Sequence, residues 1–321
     1  MSRPLGVAFL GCGAATAMHT RTLKRLRLDL RFHYASRTGG RAEEYRRRFG
    51  GAGGFASYEA AMESDEVDVV VVATPPARHL EETLAALSAG KHVIVEKPAF
   101  LRPEDTDTVR EAASRVRRRV CVAENYYYKP LRRKVAELLA AGAVGAPLAF
   151  QVNAVKRQEA RGWRSDAASA GGGALFEGGI HWINFMANLG LSVRGVHAAF
   201  PGNPHGPAEE RTSLVRLDYE GGAVGTLLYS WEVPSPLKGL QLSRIHGREG
   251  KIIFESNGIF LLSRGIPTRF ALPGLRDLAG YKAMFRDFFA AIREDREPEM
   301  TLELARQDLE IVRRAYASFD A

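Results

Sequence analysis

Short β-branched runs alternate with amphipathic stretches through the first 125 residues. Leu5–Leu10 is a compact apolar run, a glycine-rich turn follows it, and a helical pattern extends to about Arg27. Leu30–Ala35 alternates as a strand, and Arg41–Phe49 returns to a helical period. Val67–Ala73 and His92–Val95 are apolar runs of the kind a parallel sheet buries on both faces. Between them the spacing predicts a helix over Ala77–Ala89, closed by Gly90 just past its end. Pro103–Val116 and Val120–Ala123 complete a further helix–strand pair. This rhythm predicts an α/β class fold whose first part is a doubly wound parallel sheet with right-handed crossovers.

The rhythm changes after about Asn125. Leu131–Ala141 reads as a helix, and six strand-like segments then follow: Ala149–Lys156, Val193–Ala199, Thr212–Tyr219, Ala223–Glu232, Gln241–His246 and Lys251–Phe254. Short turns such as Glu220-Gly221-Gly222 predict an antiparallel or mixed sheet. Two helices, Tyr281–Glu294 and Leu302–Ser318, close the chain around Pro298. The boundary is expected near residues 122–128, giving a first domain over 1–123 and a second over 124–321.

Composition narrows the class. The chain has 321 residues, enough for two domains, with 45% hydrophobic and 26% charged positions, a globular mixture. The longest apolar run, Val67–Ala73, is interrupted by Asp68 and falls far short of the roughly 20 residues of a membrane span. A strand-like segment within about five residues of the start argues against a secretory leader. The two cysteines, Cys12 and Cys121, lie in apolar contexts unsuited to a disulfide framework, so a reducing cytoplasm is expected. The net charge of +8 is concentrated between Arg21 and Arg48 and at Arg115, Arg117, Arg118 and Arg119. Those clusters read as solvated helix faces, or as a basic rim attracting an anionic cofactor or substrate. No nucleic-acid motif accompanies them, and neither a membrane partner nor a metal site is expected.

Candidate chemistry begins at Gly11-Cys12-Gly13-Ala14-Ala15-Thr16, between the first strand and the first helix. Glycines there let a backbone approach a pyrophosphate at a helix N-terminus, so Gly11, Gly13, Ala14 and Ala15 are candidate dinucleotide contacts. Thr16 stands where a third small residue is usual. An acidic residue at the end of the second strand would bind a ribose 2′-hydroxyl. This chain instead has Ser36-Arg37 with Thr38 and Arg41, a set suited to a 2′-phosphate through paired guanidinium hydrogen bonds. NADP is therefore the expected cofactor, with NAD the alternative if Arg37 only stacks on an adenine.

Two further segments carry a resemblance. One is Ala73-Thr74-Pro75-Pro76 with His79, followed by Gly90-Lys91-His92-Val93-Ile94-Val95-Glu96-Lys97-Pro98. The other is Gly171-Gly172-Gly173-Ala174-Leu175-Phe176-Glu177-Gly178-Gly179-Ile180-His181-Trp182-Ile183-Asn184. With Glu124-Asn125 and Trp163-Arg164, the chain resembles the glucose–fructose oxidoreductase / inositol dehydrogenase (Gfo/Idh/MocA) family over essentially its whole length. The resemblance implies an N-terminal Rossmann domain binding NAD(P), and a C-terminal α/β domain with a large open sheet over the nicotinamide. It further implies that Lys97 lies beside the nicotinamide ribose and the reacting carbon, that Glu96 contacts the cofactor ribose, and that Lys97–Pro98 is a candidate cis peptide. Thr74, Pro75 and His79 join the cofactor set.

Glu177, His181 and Asn184, spaced i, i+4, i+7, share one face if the segment is helical. Gly178 and Gly179 each cost that helix about 1 kcal/mol relative to Ala. A substrate or nicotinamide approaching the backbone would account for them. The family pattern is commonly Asp-x-Gly-x-His-x-x-Asp, so Glu177 and Asn184 are departures that bear on the substrate. His181 is the expected proton-transfer group, Lys97 the oxyanion stabiliser and Glu177 the partner of His181. Asn125, Tyr126, Trp163, Arg164 and Asn184 are candidate substrate contacts, with Tyr128, Lys156, Arg157 and Trp231 in the surrounding shell.

The expected activity is hydride transfer between the nicotinamide and a carbinol or carbonyl carbon of a sugar, cyclitol or related polar molecule, in a homodimer or homotetramer. Two alternatives stand beside it. One is a relative that retains NAD and cleaves or eliminates a glycosidic group through transient oxidation. The other is a non-catalytic nucleotide-sensing regulator.

Overall fold

The β-branched runs of the first half become a six-stranded sheet in which every neighbouring pair is parallel. In the computed structural model, residues 3–202, 206, 209–235, 240–265 and 268–319 are described. The chain divides into two compact units, residues 1–123 with 282–306, and residues 124–281 with 307–321.

The first unit contains β1 (Leu5–Leu10), α1 (Ala14–Leu26), β2 (Leu30–Ala35), α2 (Gly39–Phe49), β3 (Gly53–Phe55), α3 (Tyr58–Glu63), β4 (Val69–Val72), α4 (His79–Ser88), β5 (His92–Val95), α5 (Pro103–Val116) and β6 (Val120–Val122). The strand order is β3-β2-β1-β4-β5-β6, the doubly wound arrangement. The four valines of β4 are fully buried, each contributing about 1.5–3 kcal/mol through loss of apolar surface. Phe9 of β1 stacks on Tyr34 of β2 at 5.6 Å. Ser57 accepts the Ala60 N–H and caps α3. The β3 strand and α3 have no counterpart in the periodicity. Two of the three β3 residues are glycine, and α3 is only six residues long.

The second unit begins with α6 (Pro130–Ala140) and β7 (Pro147–Val155), then a short α7 (Ala167–Ala170). A π-helical turn, Leu175–Gly179, runs into α8 (Ile180–Ala187). The remaining strands are β8 (Val193–Ala199), β9 (Thr212–Tyr219), β10 (Val224–Ser230), β11 (Leu242–Gly247), β12 (Lys251–Glu255), β13 (Leu261–Arg264) and β14 (Arg269–Ala271). They form an eight-stranded sheet ordered β14-β13-β12-β11-β7-β10-β9-β8. Only β7 and β10 pair in parallel; the other pairs are antiparallel. One face is buried: Phe185 of α8 packs on Phe254 at 5.7 Å, and Tyr219 packs on Phe150 at 5.1 Å. The other face exposes Leu214 and Leu242. The short edge strands β13 and β14 escaped the periodicity.

Helix α9 (Tyr281–Glu294) places Phe285, Phe288 and Phe289 in the interior, and α10 (Leu302–Tyr316) follows it. Residues 282–306 belong with the first unit, so neither unit is one continuous stretch of chain. The expected parallel sheet and the expected mostly antiparallel sheet are both present. Among the described residues, no helix is long and apolar enough to cross a membrane.

Candidate active site

In the first unit the candidate residues lie at the carboxyl ends of four neighbouring strands, where ligands bind in open α/β sheets. Gly11 follows β1 with φ +100°, and a Cβ there would meet the Ala73 carbonyl oxygen at 2.8 Å. That backbone conformation and that closeness require glycine. Gly13 is the N-cap of α1, with open space where a side chain would stand and no side-chain cap on the helix. The first N–H groups of α1, from Ala14 and Ala15 onward, therefore have no capping side chain, as an anion site at a helix start needs. Thr16 is fully buried and donates to the Gly11 carbonyl at 2.6 Å, so its hydroxyl holds the turn together.

At the end of β2, Ser36 is buried while Arg37, Thr38 and Arg41 are exposed. Arg37 hydrogen-bonds the Tyr58 side chain, and the Arg41 charge acts on the Cys12 thiol within the glycine turn. Burial nonetheless pushes that thiol up to about 11, and both cysteines are free and buried.

At the end of β4, Thr74 donates to Glu82 at 2.5 Å and Pro75 begins the next turn. His79, expected among the cofactor contacts, is instead a brace. It is 1% exposed, its Nδ1 faces the carbonyls of Pro98 and Ala99 at 2.9 and 3.2 Å, and its Nε2 faces the Thr74 carbonyl at 2.9 Å. Neither ring nitrogen is left for a ligand.

After β5, Glu96 Oε2 accepts the Lys97 amide at 3.1 Å, and its other oxygen meets the buried His19 ring. Burial pushes the Glu96 carboxyl up, but the His19, Lys97 and His79 charges outweigh it and hold it at about 2. The Lys97–Pro98 bond is cis.

In the second unit, the segment around His181 is helical and opens with a π turn, a form often found at functional sites. Its three polar side chains take three separate partners. Glu177, expected beside His181, accepts from Arg164 Nε at 2.8 Å, and the Arg164 guanidinium lies 4.4 Å over the Trp163 ring. Asn184 is fully buried and donates to Asp308 at 2.8 Å, so it is an interior residue and not a substrate contact. His181 Nδ1 lies 2.7 and 2.9 Å from the two oxygens of Glu124. Gly178 and Gly179 are likewise explained from within the protein. A Cβ on Gly178 would run into the Tyr229 hydroxyl, so the approaching group is a tyrosine of the sheet, not a ligand.

Around His181, Tyr126 stacks on the imidazole at 4.5 Å and 16°. Lys129 Nζ sits 4.2 Å from the centre of the Tyr126 ring and 3.4 Å from the Ser256 carbonyl. Burial pushes the Lys129 ammonium down to about 8, against the pull of Glu255 and Glu124. Burial also pushes the Tyr126 phenol up and, with Glu124 nearby, raises the Asp308 carboxyl well above its usual range. Asn125 is interior as well: it is 2% exposed and its amide donates to the Ala279 carbonyl at 2.6 Å.

Trp163 is half-buried, Tyr128 and Trp231 are buried, and Lys156 and Arg157 are exposed. Arg164, Glu210, Arg211 and Trp231 line a cavity of about 360 Å³. Among the described residues, no group of three His, Cys, Asp or Glu could hold a metal ion.

Residues 5–124 match the oxidoreductase family with an NAD-binding Rossmann fold, GFO/IDH/MocA, and residues 132–253 match the GFO/IDH/MocA C-terminal domain. The chain belongs to the GFO/IDH/MocA family. It is 33% identical over 187 residues to dTDP-3,4-didehydro-2,6-dideoxy-alpha-D-glucose 3-reductase of Actinomadura kijaniata, covering 57% of this chain and 55% of that one. It is 27% identical over 217 residues to scyllo-inositol 2-dehydrogenase (NADP(+)) of Bacillus subtilis, covering 66% and 59%. The matched stretches thus span less than two thirds of these curated relatives. In three dimensions the chain is similar to levoglucosan dehydrogenase solved with NADH and levoglucosan, with a TM-score of 0.88, 23% identity, and coverage of 98% and 97%.

Sequence spacing did not disclose Glu124 as the partner of the histidine, nor Lys129 and Asp308 as groups acting on Glu124. Glu124 was visible only as the residue opening the second half. Nothing in its spacing announces a partner 57 residues away.

Proposed function

We propose that this GFO/IDH/MocA protein is an NADP-preferring oxidoreductase acting on a CH–OH or carbonyl carbon of a sugar, cyclitol or related polar molecule. The observation that carries the cofactor preference is the basic, hydroxyl-bearing end of β2. Ser36, Arg37, Thr38 and Arg41 stand where an acidic residue would bind a 2′-hydroxyl. The positive-φ Gly11, the open space at Gly13 and the uncapped start of α1 fit a dinucleotide pyrophosphate. Gly11, Gly13, Ala14 and Ala15 would hold the pyrophosphate, Arg37 and Arg41 a 2′-phosphate, and Thr74, Pro75, Glu96 and Lys97 the nicotinamide end. Bound there, the nicotinamide supplies the hydride chemistry.

The chain's own residues handle the proton and the charge. His181 takes the substrate hydroxyl proton in oxidation and returns it in reduction, and the role of the Lys97 ammonium is to stabilise negative charge at a reacting oxygen. Arg164, Trp163 and Tyr126 are the substrate contacts retained from the sequence reading. The Actinomadura and Bacillus relatives, named for a nucleotide sugar and a cyclitol, support that substrate class. Residues 1–123 are assigned to the cofactor and residues 124–321 to the substrate and self-association. Leu214 and Leu242 on the open sheet face support a homo-oligomer. Buried free thiols are in keeping with a reducing, cytoplasmic setting.

Arg37→Ala tests the cofactor assignment by titration with NADPH and NADH. The expected result is a loss of NADPH affinity of about 10–100-fold, from one charge-assisted phosphate contact worth roughly 1.5–3 kcal/mol, with NADH little changed. An equal loss for both would overturn the 2′-phosphate assignment.

A further inference from the structure

We propose that Glu124 is the positioning residue for His181: it fixes the imidazole with its proton on Nδ1 and leaves Nε2 as the atom that exchanges a proton with substrate. The proposal rests on His181 being the proton-transfer group. Both Glu124 oxygens lie within 2.9 Å of Nδ1. A carboxylate only accepts hydrogen bonds, so the shared proton sits on Nδ1 and the neutral ring carries its lone pair at Nε2.

The carboxylate is itself fixed. It is 1% exposed, and its Oε1 accepts the Tyr126 amide at 2.9 Å. The ring is held from a second direction by Tyr126, stacked at 4.5 Å, which leaves it little freedom to rotate. Lys129 above Tyr126, at the start of α6, supplies a buried positive charge that interacts with Glu124 and with Glu255 of β12. Asp308 of α10 also faces Glu124. The expected partner Glu177 is instead committed to Arg164.

In the oxidative direction the substrate O–H bond breaks and the proton forms an N–H bond at Nε2, while the electron pair stays on the substrate oxygen. The resulting imidazolium is paired with Glu124, so the positive charge forms against a counter-ion already in place. In the reductive direction the Nε2–H bond breaks and the proton passes to the oxygen. Replacing Glu124 by Leu takes the acceptor away from Nδ1, so nothing then holds the proton there and the neutral ring is free to carry it on Nε2.

The test is nitrogen NMR of the full chain with labelled histidine, using His181→Gln to assign the His181 ring signals among the eight histidines. The wild type is expected to show hydrogen on Nδ1 in the neutral ring, and E124L to lose that preference in favour of Nε2. E124D should restore the Nδ1–H form. If E124L fails to fold, the wild-type and E124D spectra decide the tautomer. Hydrogen on Nε2 in the wild type, no change in E124L, or a reversal caused by E177Q instead, would overturn the proposal. Failure of the functional reading shows differently, as undiminished turnover in His181→Ala.

Discussion

The glycine turn after β1 and the triple-glycine segment before His181 look alike in sequence and are built on opposite principles. In the first, Gly11 makes the turn against the Ala73 carbonyl and Gly13 leaves room. Gly13 faces open space, and the turn is closed by its own neighbour, Thr16. In the second, glycines are filled from inside the protein. Gly173 is pressed by Glu210, Gly178 by Tyr229, and the polar side chains that follow reach Arg164, Glu124 and Asp308. A glycine therefore marks a ligand cradle only where the space it leaves stays empty. Where it is occupied, the glycine marks tight packing around polar groups supplied from distant parts of the chain.

The sharpest probe of that contrast is Glu210. It accepts the Leu175 amide at 2.5 Å and the Tyr316 hydroxyl at 3.0 Å, and burial pushes its carboxyl up to about 8. A carboxyl raised on folding stabilises the protein below its unfolded value, and that stability is lost as pH rises through the folded value. Relative to E210Q, the wild type should lose on the order of 1 kcal/mol per pH unit between roughly 5 and 8. Denaturant melts of both proteins across that range check this. Parallel pH profiles would mean that Glu210 is solvated and that the triple-glycine segment is not packed around it.

Gly178→Ala should cost about 1–3 kcal/mol by overpacking against Tyr229. Gly13→Ala should change stability by under about 0.5 kcal/mol, since nothing stands where its methyl would go, yet should weaken NADPH binding. Melting and titration of the pair separate the two kinds of glycine. Equal destabilisation would erase the distinction.

This difference also decides what the sequence could disclose. The parallel sheet was legible because β1, β4 and β5 are apolar runs, and its candidate residues were legible because each sits just past a strand end. Ser36-Arg37 and Glu96-Lys97 needed no partner from elsewhere to be recognised. β3 was not legible, because Gly53 and Gly54 carry no hydrophobic signal and the strand gains its place through pairing with β2. His181 was legible as a residue but not in its surroundings. Glu177 lay one helical turn away, and that nearness suggested the wrong carboxylate. The observed partner, Glu124, arrives from the end of β6 through tertiary folding alone. Asn184 and Asn125, expected at a substrate, are interior for the same reason: their partners Asp308 and Ala279 are more than 100 residues distant.

The account depends most on His181 as the proton-transfer group of an NADP-linked oxidoreductase. The most direct measurement is reduction of NADP⁺, followed by absorbance, with a panel of sugars and cyclitols for the wild type and His181→Ala. The predicted result is turnover of at least one panel member by the wild type, with kcat about 10²–10⁴-fold lower in the variant. Undiminished kcat in His181→Ala, or no turnover of any panel member by the wild type, would contradict it.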